Sequence, residues 1–336
     1  MTRIFVTGTA GFIGYHLAQL LLDEGIAVHG YDGMTDYYDV RLKQRRHQML
    51  LQNPGFAVTE GMLEDRDLLD RVVDDFAPDV IVHLAGQAGV RYSLEEPRAY
   101  IDANVVGTFS VMEAARRNAV AHLLMASTSS VYGANTEMPY AETHKADSQM
   151  TIYAATKKAT ESMGHAYAHL WNLPTTMFRF FTVYGPWGRP DMALYKFADA
   201  ILDGRPIDIY NYGEMYRDFT YVADLVRGIR LLIDAVPVRP EDGIVPEGDS
   251  LSPVAPYRVV NIGNSEKVRL LDFVDAIEAE LGVPAKRNLM GMQKGDVPAT
   301  WANASLLRQL TGYAPQTDLR DGIRSFLAWF REYYHK

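Results

Sequence analysis

The chain has 336 residues, 48% of them hydrophobic and 22% charged, with a formal net charge of −9 and no cysteine. That balance predicts a soluble globular chain long enough for two lobes, and its acidity argues against nucleic acid or an anionic membrane as the main partner. The missing thiols exclude disulfides, thiolate nucleophiles and zinc–cysteine sites. With no signal peptide and no apolar stretch long enough to span a bilayer, the expected location is the cytoplasm.

Arg3-Ile4-Phe5-Val6 reads as a first strand, and Ile13, Leu17 and Leu21, four apart, read as the apolar face of the helix that follows. Between them lies Val6-Thr7-Gly8-Thr9-Ala10-Gly11-Phe12-Ile13-Gly14. Glycines at these positions let the backbone turn sharply and approach a pyrophosphate resting on the helix N-terminus. The first glycine spacing is one residue wider than the usual dinucleotide fingerprint. A second strand, Ile26 to Tyr31, ends at Asp32, 18 residues after Gly14. A carboxylate there suits ribose hydroxyls and repels a 2′-phosphate, so NAD is expected rather than NADP. A structural glycine turn followed by a helix-capping Asp is the plainer alternative; strand, glycines, helix, strand and acid in that order weigh against it.

Further strand-like segments, Phe56–Val58, Val80–Leu84, Leu123–Ser127 and Thr176–Phe181, alternate with amphipathic stretches. That rhythm predicts an α/β fold, a Rossmann-like doubly wound parallel sheet. The sheet lobe is expected over residues 1–180, with a late return near 258–264. Residues 181–336 are expected to build a smaller mixed α/β lobe. Gly185-Pro186-Trp187-Gly188-Arg189-Pro190 is a loop of breakers, and five prolines between Pro237 and Pro256 suggest an exposed excursion.

In Ile152-Tyr153-Ala154-Ala155-Thr156-Lys157, a helix places Tyr153 and Lys157 on one face, so the ammonium could sit beside the phenol. A free tyrosine titrates near pH ~10, and lowering it by ~3 units takes about 4 kcal/mol of phenolate stabilisation. A neighbouring cation supplies part of that, and a bound nicotinamide cation more. Tyr-x-x-x-Lys alone is common by chance; the glycine turn gives it meaning. Ser127-Thr128-Ser129-Ser130, taken alone, reads as a strand-end turn satisfying backbone groups. The histidines lack metal-ligand spacing, so no metal is expected, and His83 reads as a satisfied core residue. Tyr37, Tyr38 and Trp187 are open between core packing and stacking on bases or sugar.

Together these segments resemble the extended short-chain dehydrogenase/reductase family, and within it the nucleotide-sugar epimerases. The resemblance covers nearly the whole chain. It also rests on His83-Leu84-Ala85-Gly86-Gln87-Ala88, Asn104-Val105-Val106-Gly107-Thr108, Ser127 to Gly133 and Arg217-Asp218-Phe219-Thr220-Tyr221-Val222. Asp36-Tyr37-Tyr38 with Arg41-Leu42-Lys43, Gln87 to Ser93 and Phe180 to Ala193 are similar to UDP-glucuronate 4-epimerases in particular.

The resemblance implies NAD held by Gly8, Gly11, Phe12, Ile13, Gly14, Asp32, Lys43, Leu84, Ala85, Gln87, Asn104, Tyr153 and Lys157. It implies a UDP-sugar, UDP-glucuronate, held by Arg91, Thr128, Ser129, Ser130, Thr182, Arg189, Met192, Arg217 and Asp296. The implied reaction is C4 epimerisation by transient oxidation. Tyr153 takes the proton of the sugar 4-hydroxyl while C4 gives hydride to NAD. Thr128 bonds O4 and relays the proton. The ketosugar then swings about its diphosphate link and is reduced on its other face.

A 4-keto uronate is a β-keto acid prone to lose CO₂, so its carboxylate must be held out of line with the carbonyl. Arg189 is the candidate bidentate clamp, with Thr182, Ser129 and Ser130 as helpers. Its alternative is a pair with Asp191. Related decarboxylases carry Glu where Ser130 stands, and 4,6-dehydratases carry Asp-Glu at 129 and 130; neither acid is present. Arg217 matches the UDP-diphosphate position, with an ion pair to Asp218 as alternative. Asp296 is open between uridine ribose contact and a turn, and Arg91 between the cofactor diphosphate and loop closure. One departure stands out: relatives often carry Asp after the glycine where Met62 stands, facing adenine, which leaves that contact weakened or passed to Glu64 or Asp65. A homodimer through the 98–118 and 152–171 stretches is expected by analogy. Alternative functions are a neutral UDP-hexose 4-epimerase, a UDP-glucuronate decarboxylase, or a nucleotide sensor that has lost its chemistry.

Overall fold

The computed structural model describes residues 2–336. Six strands in chain order, β1 (Arg3–Thr7), β2 (Ala27–Asp32), β3 (Phe56–Glu60), β4 (Val80–His83), β5 (His122–Thr128) and β6 (Thr175–Phe180), join a late strand, Tyr257–Ile262. They form one sheet in the order late strand, β6, β5, β4, β1, β2, β3, and each neighbouring pair is parallel. All seven residues of β5 are buried, as expected for a parallel strand covered on both faces. The connecting helices include α1 (Phe12–Asp23), α2 (Val40–Leu50), α3 (Arg66–Phe76), the short α4 (Tyr92–Glu95) and α5 (Pro97–Tyr100), α6 (Gly107–Arg117) and α7 (Ile152–Trp171).

Strand residues alternate between two cores because successive side chains leave opposite faces. Ile4, Val6, Val82, Leu124, Phe178 and Val260 pack with Leu17 and Leu21 of α1 and with Leu225 and Ile229 of the helix Val222–Asp234. Phe5, Ile81, Leu123, Met125 and Met177 pack on the other face with Val73, Val111, Ala115 and Ala168 from α3, α6 and α7. Chain segments on either side of residue 181 therefore share one core. A third cluster, including Phe197, Ile201, Phe273, Ile277, Phe326 and Phe330, is built wholly from residues after 181.

β1 and β4 are neighbours although two strands separate them in sequence. The chain runs outward through β2 and β3 and then crosses back, so a crevice opens at their carboxyl ends. Two stretches add detail that the sequence reading lacks. Residues Ile101–Val106 form a π-helix, which turns Asn104 into the interior. The proline-rich excursion is exposed at Val238 and Ile244 but fastened again by a buried ion pair, Arg258 to Asp249 at 2.9 and 3.0 Å.

The catalytic-candidate helix α7 is tied to the sheet through Glu161. Its carboxylate accepts from Ser127 Oγ at 2.6 Å and from Arg179 Nε and Nη2 at 2.8 and 2.7 Å, and its carbonyl accepts from Tyr257 Oη at 3.0 Å. Both ion-pair side chains are 3% exposed. Burial opposes the Glu161 charge, but the Arg179 hydrogen bonds and attraction, with Ser127 and Lys158, outweigh it and hold the carboxyl below its ordinary range. Removing one member of such a pair strands the other. Glu161→Gln should therefore lower the unfolding free energy by about 3 kcal/mol at neutral pH, read from urea denaturation. Because the folded-state pKa is depressed, this stabilisation is fully present above the ordinary Glu value and is lost as pH falls from there through the lower folded-state value, so wild type and variant should converge in acid.

Candidate active site

The three glycines crowd one carbonyl. Gly11 N donates to Gly8 O at 2.9 Å, and a Cβ would lie 2.9 Å from that oxygen at Gly11 and 2.0 Å at Gly14. Gly8, at φ +82°, would meet the Ala85 nitrogen at 2.8 Å. No larger residue fits this turn, so the backbone comes within contact of anything lying on it. Thr7, the last residue of β1, has its Oγ1 bonded by the Leu84 and Ala85 backbone N–H groups, both at 3.1 Å. His83 sits fully buried between Thr7 and Thr108 hydroxyls, a satisfied core residue as expected, and burial lowers its pKa to about 3.

A cleft of about 470 Å³ opens on this turn and runs to the carboxyl ends of β5 and β6. Gly8, Gly11, Phe12, Ile13, Gly14, Asp32, Lys43, Leu84, Ala85 and Gln87 line its cofactor end. Asp32 is held by the Ala10 and Met34 N–H groups, both at 2.9 Å. Lys43 donates to the Thr35 carbonyl and hydroxyl at 2.5 and 2.9 Å; burial lowers its pKa, with Asp32 opposing. Met62, Leu63 and Glu64 line the same end. Asp65 is spent on capping α3, accepting from Leu68 N at 3.1 Å. Glu64, by contrast, has a buried Oε2 with no partner among the described residues. That orphaned acceptor, with the glycine turn and Asp32, fits a dinucleotide whose adenine carries an amino donor.

Asn104 does not line the cleft. Its Oδ1 accepts from Gln87 N at 2.8 Å, and its Nδ2 donates to Gln87 O and Thr156 Oγ1, both at 3.1 Å. It acts as a bracket between the β4 loop and α7, reached because the π-helix turns it inward.

Thr128 closes β5 and caps the turn after it, accepting from Ser130 N at 3.2 Å. The turn-forming role and a place in the cleft coexist, because Thr128, Ser129, Ser130 and Tyr153 all line the cavity. Lys157 corrects the sequence expectation. Its Nζ donates to the Ala126 carbonyl at 3.1 Å instead of resting on the phenol, and burial lowers its pKa to about 8. The Tyr153 phenol is pushed up, not down, by burial, with the Thr128 hydroxyl and the Arg189 charge offsetting part of that. Spacing four puts both residues on one face, but the ammonium is drawn to the end of β5.

At the sugar end, Thr182, Arg189, Met192, Arg217 and Asp296 also line the cleft. Arg189 is forked onto Asp191, Nε to Oδ1 at 3.0 Å and Nη2 to Oδ2 at 2.7 Å, and Tyr37 Oη donates to Asp191 at 3.2 Å. Its Nη1 makes no hydrogen bond among the described residues, so the pair leaves one donor edge open. Arg217 is not paired with Asp218. It donates to the Tyr216 and Val297 carbonyls, both at 2.8 Å, and burial lowers its pKa. Asp218 is fully buried and accepts from Asn264, Ser265 and Ala302 N–H groups and Thr220. Arg91 does not line the cleft; it is bonded to Asp296 at 3.1 Å and stacked on Tyr210 at 4.3 Å, which favours loop closure. Trp187 lies away from the cleft, packed against Tyr15, Trp329 and Tyr333.

The sequence reading did not single out Thr7 or Arg46, whose roles depend on contacts far along the chain. Among the described residues there is no group of three or more metal-ligating side chains.

Residues 4–245 match the model of the NAD dependent epimerase/dehydratase family. The chain is 54% identical over 336 residues to a probable UDP-glucuronate 4-epimerase of Rhizobium meliloti (strain 1021), covering 99% of this chain and 98% of that one. It is 43% identical over 336 residues to UDP-glucuronate 4-epimerase 1 of Arabidopsis thaliana, covering 98% of this chain and 77% of that protein. Among solved structures, it superposes on the UDP-glucuronic acid 4-epimerase from Bacillus cereus, in complex with UDP-glucuronic acid and NAD, with a TM-score of 0.88 at 30% identity, covering 99% of this chain and 100% of that one. The chain belongs to the NAD-dependent epimerase/dehydratase family.

Proposed function

We propose that the chain is an NAD-dependent UDP-glucuronate 4-epimerase, interconverting UDP-glucuronate and UDP-galacturonate. The observation that carries this reading is one cleft holding Tyr153 and Thr128 beside a half-buried arginine whose Nη1 makes no hydrogen bond among the described residues, and no carboxylate at positions 129 and 130. Bound NAD supplies the hydride acceptor and donor for sugar C4.

Tyr153 accepts the proton of the 4-hydroxyl. In the protein alone burial pushes this phenol up, so acting as a base requires its pKa to be lowered, at about 1.4 kcal/mol per unit, and a bound nicotinamide cation would supply part of that. Thr128, 7% exposed and fixed by the turn it caps, orients the sugar O4 and shares the proton. Arg217, half-buried and without an ion pair among the described residues, receives the UDP diphosphate. Arg189, kept in place by Asp191 and Tyr37, offers Nη1 to the uronate carboxylate, with Ser129, Ser130 and Thr182 hydroxyls beside it. Holding the carboxylate there keeps its C–C bond out of line with the developing 4-ketone, so CO₂ is retained. Exposed Ile101, Phe109, Ile152 and Trp171 on the 98–118 and 152–171 stretches support a homodimer.

Tyr153→Phe should lower turnover of UDP-glucuronate by at least ~10²-fold while leaving its binding largely intact, as read by chromatography of the sugar nucleotides and calorimetry. Near-normal turnover would remove Tyr153 from the proposed role. Arg189→Ala should weaken UDP-glucuronate binding far more than UDP binding and release some UDP-pentose. An equal loss for both ligands would count against the clamp.

Glu64 provides a separate check on the cofactor end, with its unpartnered oxygen accepting the adenine amino group. Nicotinamide hypoxanthine dinucleotide presents a carbonyl in place of that amine. Wild type should bind NAD on the order of tenfold more tightly than this analogue, and Glu64→Leu should bind the two nearly equally. A variant that keeps the wild-type preference would assign adenine recognition elsewhere.

A further inference from the structure

Arg46, on α2, is fully buried, yet it makes no ion pair within 4.0 Å among the described residues. An uncompensated interior charge is unfavourable unless its surroundings hold it for a purpose. Its hydrogen bonds reach three separate segments. Nη1 donates to the Ala10 carbonyl at 2.7 Å in the glycine turn and to Tyr38 Oη at 2.8 Å in the loop before α2. Nη2 donates to the Trp187 carbonyl at 2.5 Å, in the loop that carries Arg189 two residues later. Nε is buried with no partner among the described residues.

The Trp187 loop is held from the same side by a second contact, His16 Nε2 to the Pro186 carbonyl at 2.9 Å. Trp187 has φ +60°, and its ring is wedged among Tyr15, Trp329 and Tyr333 at 5.1 to 5.9 Å. Two consecutive carbonyls of the sugar-side loop therefore hang from α1 and α2, the helices that flank the cofactor turn. A planar guanidinium spans acceptors in three directions; a single ammonium on a flexible stem does not.

We propose that Arg46 is a positioning residue that joins the cofactor turn to the Arg189 loop, so that cofactor binding and carboxylate recognition are coupled. Its charge lies one carbonyl away from the turn on which a dinucleotide diphosphate rests, and that dianion supplies the missing counter-charge. Its fork fixes the backbone from which Arg189 projects. The substrate half of this inference rests on the proposed function; the cofactor half does not.

The test uses the full chain with Arg46→Met and Arg46→Lys. Calorimetry gives the NAD dissociation constant and, on the NAD-loaded protein, the ratio of dissociation constants for UDP and UDP-glucuronate. Arg46→Met should weaken NAD roughly tenfold and reduce the preference for UDP-glucuronate by a similar factor. Arg46→Lys should recover most of the NAD affinity, because the charge returns, but not the preference, because the fork does not. A purely structural arginine would lower the melting temperature in both variants while leaving the ratio unchanged, and that result overturns the proposal. If neither variant folds, Tyr38→Phe, which removes one hydrogen bond at the cleft wall, should shift the ratio in the same direction by a smaller factor; an unchanged ratio overturns the coupling. If wild type shows no preference for UDP-glucuronate over UDP, the functional reading has failed, and the NAD measurement alone decides for or against Arg46.

Discussion

Glu161 has one carboxylate and one carbonyl, and through them α7 is attached to three adjacent strands. Ser127 belongs to β5, Arg179 to β6 and Tyr257 to the late strand, and each bonds Glu161 directly. Tyr153, Lys157 and Glu161 follow one another at spacing four, so they share the helix face turned to the sheet. Fixing Glu161 therefore fixes where the other two arrive. Lys157 reaches the Ala126 carbonyl near the end of β5, and Tyr153 enters the cleft beside Thr128. The contact is an ion pair with both partners interior, which is poor as a source of net stability but strongly directional. A helix held by apolar packing alone could slide; one held by a bidentate fork and a serine cannot do so without stranding a charge.

The second constraint is electrostatic. The chain carries −9 overall, while its ligands are a dinucleotide and a sugar nucleotide, both anionic. Attraction must therefore be local, and two half-buried arginines in the cleft wall and one buried behind it carry charges that are only partly answered. Arg217 has carbonyl partners alone, Arg46 has two carbonyls and a phenol, and Arg189 has Asp191 on one edge. Each is pre-oriented by contacts to carbonyls, a phenol or a carboxylate. Such sites need little reorganisation when an anion arrives.

Much of the fold and the cofactor end was legible because its signals are local. The glycine turn, the strand before it and Asp32 lie within one βαβ unit, and the structure brings them together as the spacing suggests. The late strand was visible as an apolar run near 259–263. The packing of Val222–Asp234 onto α1 was not visible, because nothing in that helix names its partner. Lys157 shows the same limit within the site. Spacing put it on the face of Tyr153, but its acceptor, the Ala126 carbonyl, depends on how α7 docks. Asn104 looked like a ligand because its neighbourhood matched a family segment, whereas a π-helical turn makes it a bracket. Arg46 was indistinguishable in sequence from a solvated helix cation. Between Glu64 and Asp65 the sequence offers no distinction, whereas the structure spends Asp65 on capping α3 and leaves Glu64 Oε2 without a partner among the described residues.

The central claim is that the hydride leaving C4 returns to C4 within one closed site. The most direct measurement is proton NMR of UDP-glucuronate converted in D₂O by the purified protein with no added nucleotide. The account predicts UDP-galacturonate with protium retained at C4, since the hydride never exchanges with solvent. Deuterium at C4, or a UDP-pentose as the main product, would contradict it.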